Sequence, residues 1–551
     1  MTDAVEASVA IVGAGPVGMT LAMQLAVRGV DVVLIERRQH AEPPSVKCNH
    51  ISARSMEIFR QLGVADALRG SGLPADHPHD CAYRLSVVGE ELARTVIPSR
   101  SRRRTGEGID SWWPAAELPH RINQIYTEPI LTHHLAAMND ATILNRHEVV
   151  GLEQETDSVR LSVVNLDDAE PFPLTARFVV GCDGPRSTVR KLLDVKLDGP
   201  PISGRVQSTL IRAPQLMEIT RHEPAWCVSA WNPRRTGVMF AIDGVEQFLV
   251  HTPLRPGEEY ETVDRDRSIR AILGVGPDFE YEVLSIEDYE GRGLVASAFR
   301  DRRVFLAGDA AHLWMPFAGY GMNAGIADAQ DLGWLLAANL QGWAPERALD
   351  AYEQERRPVT GQVARHAMGF LPELIALSSQ VPEQIEDPGA QGDAIRADFG
   401  RRAYALNTPQ YACAGLNFGY YYDDSPLIAY DGQPAPGYTM GDFTTSTVPG
   451  CRAPHVWLED GSSLYDSLGR GYAVIRRDPQ LDLSGLQAAA SERGMPFRCL
   501  DLTDVSGADA YDHGLVIVRP DQHVAWRGDD TPQQPGELLD LLRGARSPVT
   551  A

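Results

Sequence analysis

Gly13, Gly15 and Gly18, within VGAGPVG, stand at the spacing G-x-G-x-x-G. Glycines so placed handle phosphate through the backbone. The first allows a tight turn, the second lets the backbone approach a pyrophosphate, and the third lets a helix close on a strand. Pro16 and Val17 complete that turn and open the helix, whose N-terminus offers free N–H groups and a positive dipole end to the phosphates. Glu36 lies at the tip of the next strand, DVVLIE, with Arg37 behind it. A carboxylate there accepts bonds from both ribose hydroxyls and repels a 2′-phosphate, so the expected ligand is FAD or NAD rather than NADP.

A second cluster, PFAGYGMNAG, contains Gly319, Gly321 and Ala324 at nearly the same spacing. The strand before it, VFLAGD, ends well short of Gly319, and Pro316 intervenes. No strand with a terminal acid follows at the distance of Glu36. The cluster therefore reads as a close-approach loop leading through Met322 and Asn323 into the helical pattern IADAQDLGWLLAANL. Two more strand ends carry acids: Asp183 in FVVGCDG, and Asp309 after Gly308 in VFLAGD. A carboxylate at a strand's carboxyl edge can accept a bond from a polyol.

These groups need several elements to position them, and 551 residues suffice for two or three domains. The 43% hydrophobic and 23% charged content is that of a globular chain. A net charge of −23 argues against nucleic acid or an anionic membrane as partner. No apolar run approaches the ~20 residues of a membrane span. The first residues enter a strand without a secretory signal, and the seven cysteines show neither C-x-x-C nor metal-ligand spacing, so a reducing cytoplasm and no metal are expected. The basic run SRSRRRTG reads as a solvated loop in an acidic chain.

Together the motifs resemble the single-component, FAD-dependent aromatic hydroxylases, the class A flavoprotein monooxygenases. GAGPVG, CDGPRSTVR and AGDAAHLWMPFAGYGMNAGIADAQDLGWLLA look like that family's three signatures, and ISARSMEIFRQLGV and RINQIYTEPIL resemble two further segments. The resemblance implies an α/β fold: a Rossmann-like FAD-binding domain interleaved with a β-sheet substrate domain, plus a C-terminal thioredoxin-like α/β domain. The expected boundaries are 1–405 for the FAD unit, with sheet regions near 76–120 and 195–295, a linker at 406–430, and 431–551 for the last domain, without C-x-x-C.

By the same resemblance FAD is tightly but non-covalently bound. Gly13, Gly15, Pro16, Val17 and Gly18 hold the pyrophosphate, Glu36 and Arg37 attend the adenosine, and Val149 and Gln124 make further contacts. Asp183 serves FAD and NAD(P)H handling, and Gly308 and Asp309 hold the ribitol. Pro316, Gly319, Gly321, Met322 and Asn323 face the isoalloxazine, and Lys47 stands where many relatives have arginine. NADPH or NADH, which of them being open, visits transiently, and O₂ is co-substrate. The implied reaction is hydroxylation of an aromatic substrate, phenolic or polycyclic, through a C4a-hydroperoxyflavin. Ring-opening or Baeyer–Villiger-type oxygenation is the alternative, as is a non-catalytic flavin protein that shields an intermediate.

On the substrate side His50 is the candidate catalytic residue, because Asn49 occupies a place where some relatives carry an aspartate. A structural role for His50 competes. Arg212, His222, Trp226, Met239, Phe240, Phe317 and Ala318 are candidate pocket residues, and ordinary sheet core competes for those on strands. No carboxylate-clamping pair of arginines stands out, which favours a neutral or large aromatic. A homodimer stays open.

Overall fold

A computed structural model describes residues 5–200, 204–503 and 507–546. The strand Val5–Val12 is central to the first sheet, and its residues Val9 to Val12 are buried. It pairs in parallel with Val32–Glu36 on one side and Pro171–Gly181 on the other, and Val304–Leu306 joins the latter in parallel. Such strands are apolar throughout because both faces of a parallel sheet are covered. The helices Pro16–Ala26 and Tyr320–Leu340 pack against each other over this sheet. Gly333 makes their approach possible, since a Cβ there would lie 2.6 Å from Cβ of Gln24.

The second sheet runs in the order Glu282–Ile286, Gly204–Arg212, Gln247–Pro253, Gly237–Ala241, Cys227–Ala230, Cys81–Arg84, Glu91–Thr95. Its strands come from two distant stretches of chain, which is the interleaving that the motifs imply. Helix Arg265–Leu273 covers one face: a Cβ on Gly237 would strike Ile272 at 2.3 Å. Alternation along a strand then puts Met239 and Ala241 on that helix-covered face, and Val238 and Phe240 on the other.

The C-terminal sheet has the order Phe497–Asp501, Tyr472–Arg476, Leu515–Val518, Val524–Gly528. Its first pair is parallel and the other two are antiparallel. Helices Ser484–Glu492 and Pro535–Leu542 pack together beside it. The stretch 406–430, where a linker was expected, contributes packed residues. Cys413, Ala414, Leu416, Phe418, Tyr422 and Ile428 are buried in one cluster with Ala53, Trp113, Tyr320 and Val359. Its apolar and aromatic residues pack under the FAD unit, and the first regular element after them is the helix Leu464–Leu468. Among the described residues no helix is long and apolar enough to cross a membrane.

Candidate functional site

Three parallel strands deliver acids to one sheet edge: Glu36 ends its strand, Asp183 follows Gly181, and Asp309 follows Leu306. Ligands of open α/β sheets bind at this carboxyl edge. The glycine turn lies there too. A Cβ on Gly13 would lie 2.5 Å from the carbonyl oxygen of Cys182, and one on Gly18 would lie 2.0 Å from that of Gly13. A Cβ on Gly15 would meet nothing within 4 Å. The turn is packed shut behind and open in front.

Glu36 accepts bonds from the amides of Ala14 and Arg38, both at 2.9 Å. Burial works against its charge, but the Arg38 guanidinium and these amides outweigh it and hold its pKa below the usual carboxylate range. Strand alternation turns Arg37 outward, where it is exposed; Arg38 is the arginine that pairs inward, to Glu36 and, at 3.0 Å, to Glu128. Asp183 caps the turn Thr188–Leu192, with Oδ2 accepting the amides of Thr188 and Val189. Its buried Oδ1 has no hydrogen-bond partner among the described residues, and burial raises its pKa. Asp309 is exposed by surface area, yet surrounding protein raises its pKa, with His312 and Lys47 opposing. Both observations describe a carboxylate on the wall of a deep cleft.

The second glycine cluster is a loop and helix start. Gly319 sits in the left-handed region at φ +64°, as N-cap of Tyr320–Leu340, and a Cβ on it would lie 3.1 Å from the His50 side chain. Gly321 has open space beside it. The Asn323 side chain, almost fully buried, accepts the amide of Ser52 at 2.8 Å and donates to the His50 carbonyl at 3.1 Å. It thus braces the segment 46–52, leaving the helix backbone, Met322 included, as the donor. That segment pairs with 120–124 through two bonds of 2.8 Å between Ile51 and His120, and the Gln124 amide donates to the Cys48 carbonyl. Asn123 Nδ2 donates to Asn49 Oδ1, and Lys47 is exposed.

A family profile described as an FAD binding domain matches residues 6–367, and one described as the C-terminal part of aromatic-ring hydroxylases matches 446–545. The chain belongs to the FAD-dependent aromatic hydroxylase family. It is 30% identical to the FAD-dependent monooxygenase apdD of Emericella nidulans, over 96% of this chain and 88% of that one. It is 31% identical to a rifampicin monooxygenase of Streptomyces venezuelae, over 95% and 96% of the two chains. The rebeccamycin biosynthetic enzyme RebC, soaked with chromopyrrolic acid and holding 7-carboxy-K252c, is similar at a TM-score of 0.89 and 32% identity, covering 98% of this chain and all of that one.

The residues present fit the family's FAD. Gly15 leaves its backbone open where a pyrophosphate approaches, Asp183 Oδ1 is a buried acceptor without a donor, and Asp309 faces the cleft. Gly308, at φ +58°, and Gly325 fit around Val17, which keeps the Asp309 turn against the phosphate turn. Behind them Asp328 accepts Gly308 N at 3.1 Å, His312 Nε2 at 2.7 Å and Arg356 Nε at 2.9 Å. Asp328 lies inside the quoted signature, but nothing in its spacing marks it as the post of that turn. Val149 puts its side chain in the sheet core, 2% exposed, so its side chain is structural.

Several pocket candidates are placed elsewhere. Met239 belongs to the helix-covered face, because it is adjacent in its strand to Phe240 and the two cannot share a side. Arg212 is exposed and paired to Glu282 at 2.9 Å at the sheet's far edge. His222 is held to the carbonyl of Gly89, in the turn between Cys81–Arg84 and Glu91–Thr95. Trp226 and Phe240 do stay together, ring centroids 5.3 Å apart, and Phe317 lies against Phe370. Pro316 is exposed beside them, and the Ala318 side chain lies outside the described residues.

The basic run forms the helical turn Arg100–Thr105, on which Ser101, Arg102 and Thr105 are exposed as a solvated segment would have them, but Arg103 is 4% exposed. It points into the molecule beside Arg121 of RINQIY, so a buried arginine pair exists where none was expected. Between them and the helix start lies His50, whose pKa burial pulls well below its usual value, with Arg121, Arg103 and His120 adding to the effect. His50 is therefore neutral near pH 7 and does not titrate there. Its buried Nδ1 has no hydrogen-bond partner among the described residues.

Proposed function

We propose that this protein is an FAD-dependent oxygenase of a polycyclic, polyketide-like aromatic, with NADH or NADPH as transient reductant and O₂ as co-substrate. The observation that carries it is the arrival of Glu36, Asp183 and Asp309 at one sheet edge beside an open Gly15. When bound, FAD supplies the redox chemistry, accepting hydride and reacting with O₂. The chain's own residues orient and protect. Glu36 and the turn Gly13–Gly18 hold the dinucleotide, and Asp183 and Asp309 engage its polar links. The N-terminus of Tyr320–Leu340 places donors and a positive dipole end where negative charge develops on reduction. His50, neutral and with an open Nδ1, accepts a hydrogen bond from a substrate hydroxyl at that atom. Trp226 and Phe240 supply apolar wall.

For the outcome of oxygenation, the likeness to RebC supports the alternative over plain ring hydroxylation. RebC soaked with chromopyrrolic acid holds a different molecule, 7-carboxy-K252c, so a site that takes in and holds a polycycle suits this fold. The C-terminal sheet order suits a thioredoxin-like domain whose single cysteines leave it a structural task. The test is anaerobic flavin reduction by NADH and by NADPH across polycyclic aromatics, then mass analysis of products formed under ¹⁸O₂. One labelled oxygen on an intact ring system would restore plain hydroxylation. Ring-opened labelled products would favour ring-opening oxygenation. Reduction that quickens with aromatics but leaves no label and no altered product would sink the oxygenase reading.

A further inference from the structure

The basic run and RINQIY meet in a cluster that the cofactor does not explain. Arg103 Nη2 and Arg121 Nη2 both donate to a single oxygen, Asp110 Oδ2, at 3.2 and 3.1 Å. Asp110 is fully buried, Arg121 is 1% exposed and Arg103 4%. Nε and Nη1 of both arginines, and Asp110 Oδ1, find no hydrogen-bond partner among the described residues. Two guanidiniums therefore share one carboxylate and leave one positive charge over. Glu117, the next acid near Arg103, is already engaged by Arg60 and Arg69.

A buried charge without a partner carries a penalty of several kcal/mol in an ordinary core. Unsatisfied donors also do not collect by chance around one point, since buried polar groups are nearly always bonded. Burial pulls the Arg103 guanidinium down to about 9, with Arg69 and Arg121 contributing and Asp110 opposing. All of this is the signature of a receptor for an anion.

Its position says which anion. Ile51 and His120 form an antiparallel bridge, so His50 and Arg121 are cross-strand neighbours. His50 touches the Gly319 loop on one side. The Arg121 guanidinium lies 5.2 Å over the Trp226 ring, next to Phe240, on the other. The charge stands at the end of an aromatic wall, one residue removed from the flavin-side loop.

We propose that Arg103 and Arg121 receive a carboxylate carried by the aromatic substrate, so that this protein acts on an aromatic acid. The proposal rests on the oxygenase reading only for the name substrate; the anion site itself is a binding claim. Guanidinium pairs take carboxylates through parallel N–H bonds, and each charged bond discriminates strongly against a neutral isostere.

The test uses FAD-loaded, full-length enzyme and calorimetric titration with naphthoate and with naphthamide, which match in shape and differ in charge. Naphthoate should bind roughly tenfold or more tightly than naphthamide. Arg103→Gln and Arg121→Gln should each remove that preference while moving naphthamide less than about twofold, and Arg121→Lys should restore part of it. Because either glutamine variant can fail to load FAD, Asp110→Asn gives the opposite sign. It frees both guanidiniums and should tighten naphthoate about threefold or more without moving naphthamide. Equal binding of acid and amide, no heat from naphthoate, or variants that leave the preference intact would overturn the proposal. So would acetate or chloride matching naphthoate, which would reveal a site for small ions only. NAD(P)H reduction in the same preparations reads the oxygenase claim separately, so either can fail alone.

Discussion

At the phosphate turn two glycines three apart do different jobs. Gly15 has φ −75° and ψ −179°, an extended backbone open to any residue, and a Cβ there meets nothing within 4 Å. Gly15→Ala should therefore fold, with apoprotein stability within ~0.5 kcal/mol of the parent. Its methyl group points where the pyrophosphate approaches, so FAD affinity should fall at least ~tenfold, read as release of fluorescent flavin. Gly18→Ala is the reverse case: a Cβ 2.0 Å from the Gly13 carbonyl forces the helix off the strand. Overpacking of that kind costs about 1–3 kcal/mol or more, and soluble protein should drop before any binding is measured. A different residue-scale effect appears in acid. Burial pulls His251, on the same sheet face as Phe240, down to about 4. Its ordinary value is near 6.5, so the unfolded chain takes up the proton first as pH falls. The stability is fully present above about pH 6.5 and is lost progressively toward pH 4. His251→Asn should flatten the Tm of the apoprotein across that window; an unchanged slope would assign acid sensitivity to other buried histidines, among them His455, pulled to about 3.

At the scale of elements, the helix Tyr320–Leu340 is the part that brings the site together, and Asp328 fixes it in place. Burial opposes the Asp328 charge, but His312 and Arg356 more than compensate and lower its pKa. Asp328→Asn keeps the shape and removes the charge, leaving Arg356 beside a neutral group. Breaking such a buried set typically loses about 3–5 kcal/mol. Denaturant midpoints should fall accordingly, and FAD binding should weaken with them as the Gly308–Asp309 turn loosens. What was legible in the sequence divides along the same line. The glycine turn, Glu36 and the strand-end acids are local patterns whose chemistry depends on spacing within one strand–helix step, and the structure sets them at one edge. The buried arginine pair was not legible, because Arg103 and Arg121 lie in separate segments and only the docking of Arg100–Thr105 decides that Arg103 turns inward. Met239 failed for a smaller reason: the strand was right, but which parity faces the cofactor depends on the helix Arg265–Leu273 covering the other side.

On the scale of the whole molecule, the C-terminal region is joined to the FAD unit by buried charge. Arg519, fully buried, pairs with Glu355 of the long helix Asp350–Ser379 at 2.6 and 2.7 Å and with Asp521 at 2.6 Å. Arg452 pairs with Glu57 at 2.6 Å, and Arg54 reaches Gln522 and the Asp521 carbonyl. A chain ending at residue 430 would leave Glu57, Glu355 and Arg54 buried or newly wetted without these partners, and it should be recovered insoluble where the full chain is soluble. The sharper test concerns one cation. Glu355, Asp521 and Asp331 have carboxylate oxygens within 4.8 Å of one another, and Arg519 lies among them with Arg356. Already Asp331 is pushed up to about 7, by burial first, with Asp521 and Glu355 adding to it and Arg356 opposing. Arg519→Gln removes the main counter-charge, so the remaining acids should prefer their protonated forms in the folded state. Folded pKa values above the unfolded ones mean that the native state binds protons more tightly, and stability is kept at low pH and lost as pH rises. The Tm deficit of Arg519→Gln against the parent should therefore be small near pH 5 and grow through pH 7 to 8. A deficit that is constant with pH would show that Arg519 acts by packing on Trp334 and Tyr422, each about 5 Å from its guanidinium, and not by charge.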